Sequence, residues 1–407
     1  MESAPQCLCC GAQNVETLVD FGLQPPSNRF EHPEHPESER HPLVVGQCDA
    51  CGLVQLIRPM APSMAKSRFE WLTYNEPEGH LDDLVGRLCS LPGIDRSARI
   101  FALTYKDDST LARFKKLGYD HTYRYESDAD FGLKDSCAGL ESIQAMLDEP
   151  TAARLAAKHG LADLLIVRHV LEHAHEPLAF LRAARMLVRP DGYLLFEMPD
   201  STKFIKACDH CFIWEEHITY LCGQTLTALI ASSGVSMQET IEYTYPLEDS
   251  LIAIVKNQAQ RQVGRPAKKE LESLLTDGQN FARSFFERRA YLQSLLGVWR
   301  QAGKRTAIFG AGHLAAKFAN MYSLEKWLDC VIDDNPYKQR LLMPGSRLAI
   351  RGSSALETGA IDLCLLSLNP ESEQRVLAKN QSFLERGGQF LSIFARSPKA
   401  IYHAEAV

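Results

Sequence analysis

ARIFALTY, residues 98–105, is a short apolar run that reads as a strand, and the alternation it begins sets the architecture. It gives way to the helix-period stretch STLARFKKLG (109–118), then to ADLLIVRHVLEH (162–173), PLAFLRAARMLV (177–188) and GYLLFEMPD (192–200). Strands separated by helices re-enter a sheet in parallel, so the pattern predicts an α/β fold with helices on both faces. The same rhythm returns later in KRTAIFGAGHLAAKFAN (304–320), LDCVIDD (328–334), IDLCLLSL (361–368) and GQFLSIF (388–394). Between the two halves lie the polar stretch NQAQRQVGRPAKK (257–269) and a long helix predicted over Glu270–Gln301. Its apolar residues Leu271, Leu274, Leu275, Phe281, Phe285 and Leu292 recur at mostly helical intervals.

At 407 residues the chain is too long for one ordinary core. Three regions are expected: a Cys-, Pro- and His-rich segment over 1–60, a sheet-forming domain over 61–258, and the long helix with a second sheet over 259–407. A formal net charge of −7 argues against bulk nucleic acid as a partner. No apolar run reaches the length of a membrane span, and the polar start MESAPQ has no apolar stretch behind it, so a cytoplasmic protein is expected.

Two Cys-x-x-Cys pairs, Cys7 with Cys10 and Cys48 with Cys51, offer four thiolates to one tetrahedral zinc ion and leave no position open for chemistry. The expected metal is therefore structural Zn2+. Cys9 is an alternative to Cys10 as a ligand, and disulfide pairing is the other reading of the spacing.

The order of motifs resembles the bacterial nucleotide-sugar C-methyltransferases, which act on keto-deoxysugars. The stretches that carry the likeness are Cys48-Asp-Ala-Cys51-Gly-Leu-Val-Gln-Leu56, Val170-Leu-Glu-His173, Glu215-Glu-His217-Ile-Thr-Tyr220, Asp334-Asn-Pro-Tyr-Lys-Gln339 and Met343-Pro-Gly345. The resemblance covers nearly the whole chain. It implies a zinc-binding N-terminal domain, a class I S-adenosylmethionine (SAM) methyltransferase domain with a Rossmann-like sheet, and a C-terminal Rossmann-like domain. It also implies a small-molecule nucleotide-sugar substrate, and it leaves the oligomeric state open.

Residue by residue, the resemblance makes His217 the base that forms an enolate, with Glu216 beside it. It places His173 near the substrate carbonyl and Tyr74 in contact with the sugar. Trp214 stands where the family usually has tyrosine, and an indole cannot act as a phenolic acid. Asp107 matches the acidic residue of the first-strand turn, Glu126 the carboxylate that takes the ribose hydroxyls of SAM, and His169 falls among the cofactor contacts. The family's glycine-rich turn after the first strand is missing: Phe101–Thr110 contains no glycine. That departure keeps two other readings open, a non-methylating, epimerase-like enzyme and a SAM-independent binding scaffold on the same fold.

In the last region Gly310-Ala-Gly312 follows a strand and opens a helix, with Asp333 after the next strand. Alone, that pattern suggests a dinucleotide loop. The resemblance instead gives Gly310, Gly312, Asp333, Asn335, Tyr337 and Lys338 to the sugar nucleotide, and a purely structural half-domain is the third reading.

Overall fold

A computed structural model describes residues 5–72, 76–259 and 265–404. They divide into two compact units: Met1–Thr17, Val45–Thr202 and Glu216–Leu275 form the first, and Leu18–Val44, Lys203–Glu215 and Thr276–Val407 the second.

The chain begins with β1 (Val15–Gln24), β2 (His41–Cys48) and β3 (Val54–Leu56), the last two antiparallel with Val45 opposite Leu56. The first unit is built on β4 (Ile100–Ala102), β5 (Thr122–Arg124), β6 (Ala162–Arg168) and β7 (Val188–Asp200), followed by β8 (Thr219–Tyr220), β9 (Val235–Tyr243) and β10 (Asp249–Ala259). β8 pairs with β3 and completes a four-stranded sheet, β1-β2-β3-β8. The other strands form a six-stranded sheet in the order β5-β4-β6-β7-β10-β9, with the β5-β4-β6-β7 pairings parallel and the two pairings of β10 antiparallel.

Strict alternation places the core. Ile100, Ala102, Leu164, Ile166, Leu195 and Ile252 face one side of the sheet, and Phe101, Leu103, Leu165, Val167, Leu194 and Phe196 the other. Both faces are buried, which is why β6 reads as a continuous apolar run. Helix Leu81–Cys89 covers the first face with Leu81, Leu84, Val85 and Leu88, spaced for one helical stripe. Helix Glu149–His159 starts where the Asp148 carboxylate accepts the Thr151 N–H at 2.8 Å.

The second unit contains a five-stranded parallel sheet from β11 (Thr306–Phe309), β12 (Cys330–Ile332), β13 (Ile350–Arg351), β14 (Leu363–Leu366) and β15 (Gln389–Ser392), in the order β13-β12-β11-β14-β15. This is the doubly wound order of a Rossmann-like half. The long helix spans Lys268–Gln301 and buries Phe281, Phe285, Leu292, Leu295, Leu296 and Trp299.

Inside this unit Lys317, fully buried, pairs with Glu215 at 2.6 Å and donates to the Pro25 carbonyl, while Glu215 also accepts the Ser27 N–H. Removing one partner strands a buried charge, so Lys317→Met should destabilise the protein by about 3–5 kcal/mol. Lys317→Met combined with Glu215→Gln should recover much of that loss in chemical denaturation. An unshifted midpoint for Lys317→Met would show that the pair carries no stability.

Candidate active site and metal centre

Four thiols converge in the first unit. Cys7 Sγ lies 3.5 Å from Cys51 Sγ and Cys10 Sγ 3.6 Å from Cys48 Sγ, and all four fall within 4.8 Å of one another. Tetrahedral zinc at about 2.3 Å from each sulfur needs edges near 3.8 Å, so the donor set fits the ion. None of the four is in a disulfide. Cys9 Sγ lies 3.9 Å from the Thr225 carbonyl and is outside the group of four, which has Cys10 as its fourth member.

The carboxyl ends of β4, β5 and β6 bring the cofactor candidates together. Asp107 is fully buried, and its Oδ2 accepts the N–H groups of Leu103 and Thr104 at 2.9 Å while Oδ1 accepts that of Arg168 at 2.9 Å. The carboxylate thus ties β4 to β6 from inside the turn. Burial pushes its pKa up to about 7, against the pull of the Thr104 amide and the Arg168 charge. Glu126, by contrast, has a half-exposed side chain 3.4 Å from Arg124, whose guanidinium also holds Asp108 at 2.9 Å. The Glu126 backbone is fixed by Asp130, whose carboxylate accepts the Glu126 N–H at 2.9 Å and binds Lys158 and His159, each at 2.7 Å. Glu126 is therefore the accessible carboxylate of the set.

His169, left-handed with φ +55°, is a strained corner after β6. Burial works against its charge, but Glu172 and Glu197 outweigh it and hold the ring's pKa up at about 10. Glu197, on β7, is the hub: Arg168 Nε binds it, His80 Nε2 stands at 3.1 Å, His169 Nε2 at 3.4 Å, and Ser250 donates at 2.9 Å. Despite burial, His169, His80 and Arg168 keep the Glu197 carboxyl well below its ordinary range. His169 thus enters a buried ionic cluster with its side chain only 7% exposed. Sequence reasoning passed over Arg168, His80 and Glu197; the available signal was a charge within or ending otherwise apolar β6 and β7.

His173 and His217 meet edge-to-face, with ring centres 4.9 Å apart. The Ile218 N–H reaches the Glu172 carbonyl at 2.7 Å and so fixes His217 across from the turn Leu171–His173. Burial lowers the pKa of His173, and the Glu216 main chain holds the ring. Carboxylates surround the pair: Glu172 and Glu141 act on His173, and Glu141, Glu216 and Glu76 on Tyr105. Glu248 is pushed well above the carboxylate range by burial and then by Glu76. Ionised carboxylates around these groups favour a cationic over an anionic ligand. Tyr74 lies outside the described residues. In the second unit Trp214 stacks on His313, ring centres 4.2 Å apart.

The second unit's candidates also converge, but largely on one another. Asp333 Oδ2 accepts the Ala311 N–H at 2.9 Å and Lys338 Nζ at 3.0 Å, and Oδ1 accepts the Asn335 N–H at 2.8 Å. Lys338 also donates to the Ala311 carbonyl at 2.7 Å, and Asn335 Oδ1 accepts the Tyr337 N–H. Gly310, at φ +101°, is required by packing: a Cβ there would sit 2.7 Å from Leu368 and 2.8 Å from Ser367 Oγ. Gly312 faces open space and Tyr337 is exposed.

A four-thiolate knuckle, a sheet with an antiparallel strand inserted before its edge and a carboxylate at the second-strand end together define a zinc-bearing, SAM-dependent methyltransferase. Three family models match in succession: a zinc binding domain over residues 7–64, a methyltransferase domain over 78–240 and a C-methyltransferase C-terminal domain over 250–394. The chain belongs to this C-methyltransferase family. It is 22% identical to the C-methyltransferase NovU of Streptomyces niveus over 400 residues, 95% of this chain and 94% of that one. Among solved structures it is similar to an O-methyltransferase family protein from Burkholderia thailandensis, at 15% identity and TM-score 0.30 over 44% of this chain and 56% of that one. It is also similar to magnesium protoporphyrin IX methyltransferase from Synechocystis with bound S-adenosylhomocysteine, at 13% identity and TM-score 0.32 over 45% and 90%. No helix among the described residues is long and apolar enough to cross a membrane.

Stripping zinc, or replacing Cys48 by Ser, should lower the thermal unfolding temperature and not merely stop turnover; an unchanged melting curve after complete metal removal would contradict a structural ion. The Asp130 support of Glu126 has a pH signature. Burial opposes the Asp130 carboxylate, but Lys158 and the Glu126 amide hold its pKa below that of the unfolded chain. Its contribution is therefore present above about pH 4 and lost as the pH falls further. Asp130→Asn should flatten the acid limb of a urea-midpoint-versus-pH curve, and an unchanged slope would dismiss the linkage.

Proposed function

We propose that the protein transfers a methyl group from SAM to the carbon beside the ketone of a nucleotide-linked sugar, with His217 as the base. The observation that carries this reading is the His217–His173 pair, set edge-to-face among carboxylates at the strand ends. C-methylation needs a carbon nucleophile, and the proton beside a carbonyl is the accessible one to remove.

His217, half-buried, takes that proton on a ring nitrogen as the C–H electron pair moves into the enolate. SAM, when bound, supplies an electrophilic methyl on a sulfonium. Glu216, buried beside the base, balances the imidazolium that forms, and the same carboxylates favour a cationic cofactor over an anionic one. His173, neutral through burial, faces the reacting centre with an unpartnered Nδ1. Glu126 takes the ribose hydroxyls. Asp107 acts beneath the turn by fixing its backbone, and its lone pairs are spent there. The sugar lies in the cleft, and its anionic diphosphate is kept clear of the carboxylates.

His217→Ala should reduce methylated product by at least about a thousandfold, with SAM affinity by calorimetry within about twofold of the parent. Equal loss of both would move His217 out of the base role. Glu126→Ala should weaken SAM binding by roughly ten- to a hundredfold, the worth of one charge-assisted hydrogen-bond pair, with the melting temperature unchanged. Unaltered SAM affinity would remove Glu126 from the ribose site.

A further inference from the structure

The turn Leu171–His173 holds two buried groups whose polar atoms are incompletely satisfied. Glu172 is 2% exposed and neither of its carboxylate oxygens makes a hydrogen bond; His169 Nδ1 stands 3.6 Å from one of them. His173 is 5% exposed and its Nδ1 is likewise unpartnered, although the ring is anchored by the Glu216 main chain. Because Nδ1 is free, that anchor uses Nε2. One nitrogen fixed on a carbonyl with the other lone pair left open is the posture of a metal-ligating imidazole. A ligand atom of His217 completes the set: atoms from Glu172, His173 and His217 all lie within 4.8 Å of one another.

We propose that Glu172, His173 and His217 form a second metal site, separate from the four thiolates, for a divalent transition cation of the zinc class. Two imidazoles and one carboxylate suit such an ion better than magnesium or calcium, which favour all-oxygen shells. A cation would add to the one long contact the buried carboxylate has, 3.6 Å to His169 Nδ1, since a desolvated charge with few donors is unfavourable. Glu141, which acts on His173, and Glu76, which acts on His169, deepen the field that attracts it. Three protein ligands leave a coordination position for water or a substrate oxygen. Occupation takes the His217 lone pair, so the metal-loaded form cannot deprotonate the sugar. That consequence rests on His217 being the base; the site itself does not.

The test is a titration of the zinc-replete full chain with Co2+. The expected result is one further equivalent, seen as visible d–d absorption without the thiolate charge-transfer bands that cobalt gives in a four-cysteine site. Glu172→Gln and His217→Ala should each weaken that equivalent by at least about a hundredfold and leave the zinc content at one. Should Glu172→Gln fail to fold, the half-buried His217→Ala carries the test alone. No further equivalent in the parent, or one bound equally well by His217→Ala, overturns the proposal. His217→Ala that loses cobalt yet still methylates would overturn the base assignment and leave the metal site standing.

Discussion

Asp107 is the residue on which the cofactor side of the first unit turns. In a glycine-rich loop, bare main-chain N–H groups face the ligand and the missing side chains let it approach. Here the N–H groups of Leu103, Thr104 and Arg168 converge inward on one carboxylate. The turn is stable without glycine because its amides are satisfied from within, and it is free to carry Thr104, Tyr105 and Lys106. The same bonds lock the ends of β4 and β6 at fixed separation, which positions His169, Glu172 and His173 just beyond. The turn is thus held by electrostatics and not by glycine, at the cost of a buried acid whose pKa rises to about 7.

Charge is the second organising constraint. The strand ends hold one buried hub, Glu197, surrounded by Arg168, His80 and His169, and beyond it a cleft lined with further carboxylates. The hub is compensated; the cleft carries an excess of acid. Buried charge persists only when paired or coordinated, so carboxylates beyond the hub favour a cationic over an anionic partner.

The sheets and the long helix could be read from the sequence because their signals are local. The apolar run in ADLLIVR marked β6, and the periodic apolar residues of Glu270–Gln301 marked a helix that runs Lys268–Gln301. The four zinc ligands were legible for the same reason, since each knuckle is set by short spacing. The roles of Asp107 and Asp333 were not. Both match acidic positions of ligand loops, yet a carboxylate's identity does not say whether it points outward to a ligand or inward to its own backbone. That choice depends on neighbours distant in sequence, such as the Arg168 N–H for Asp107. Glu172 escaped notice because it lies inside an apolar-looking segment, and only the fold brings its carboxylate to His169, His173 and His217.

Two sheets of related design therefore differ in what they leave free. In the second unit, Asp333, Lys338 and Asn335 satisfy one another and the Ala311 backbone, and Gly310 is fixed by contact with Ser367 and Leu368. A loop whose donors and acceptors are spent internally has little binding energy to offer a phosphate, and Gly312 and Tyr337 are what it still presents. In the first unit the turn is closed by Asp107, but His173 keeps an unpartnered Nδ1 and Glu126 a half-exposed carboxylate at the sheet's carboxyl edge. Unsatisfied polar groups are costly in a core and persist where a ligand completes them. By that criterion the first sheet has more to offer a ligand than the second, where Gly310 is fixed by packing.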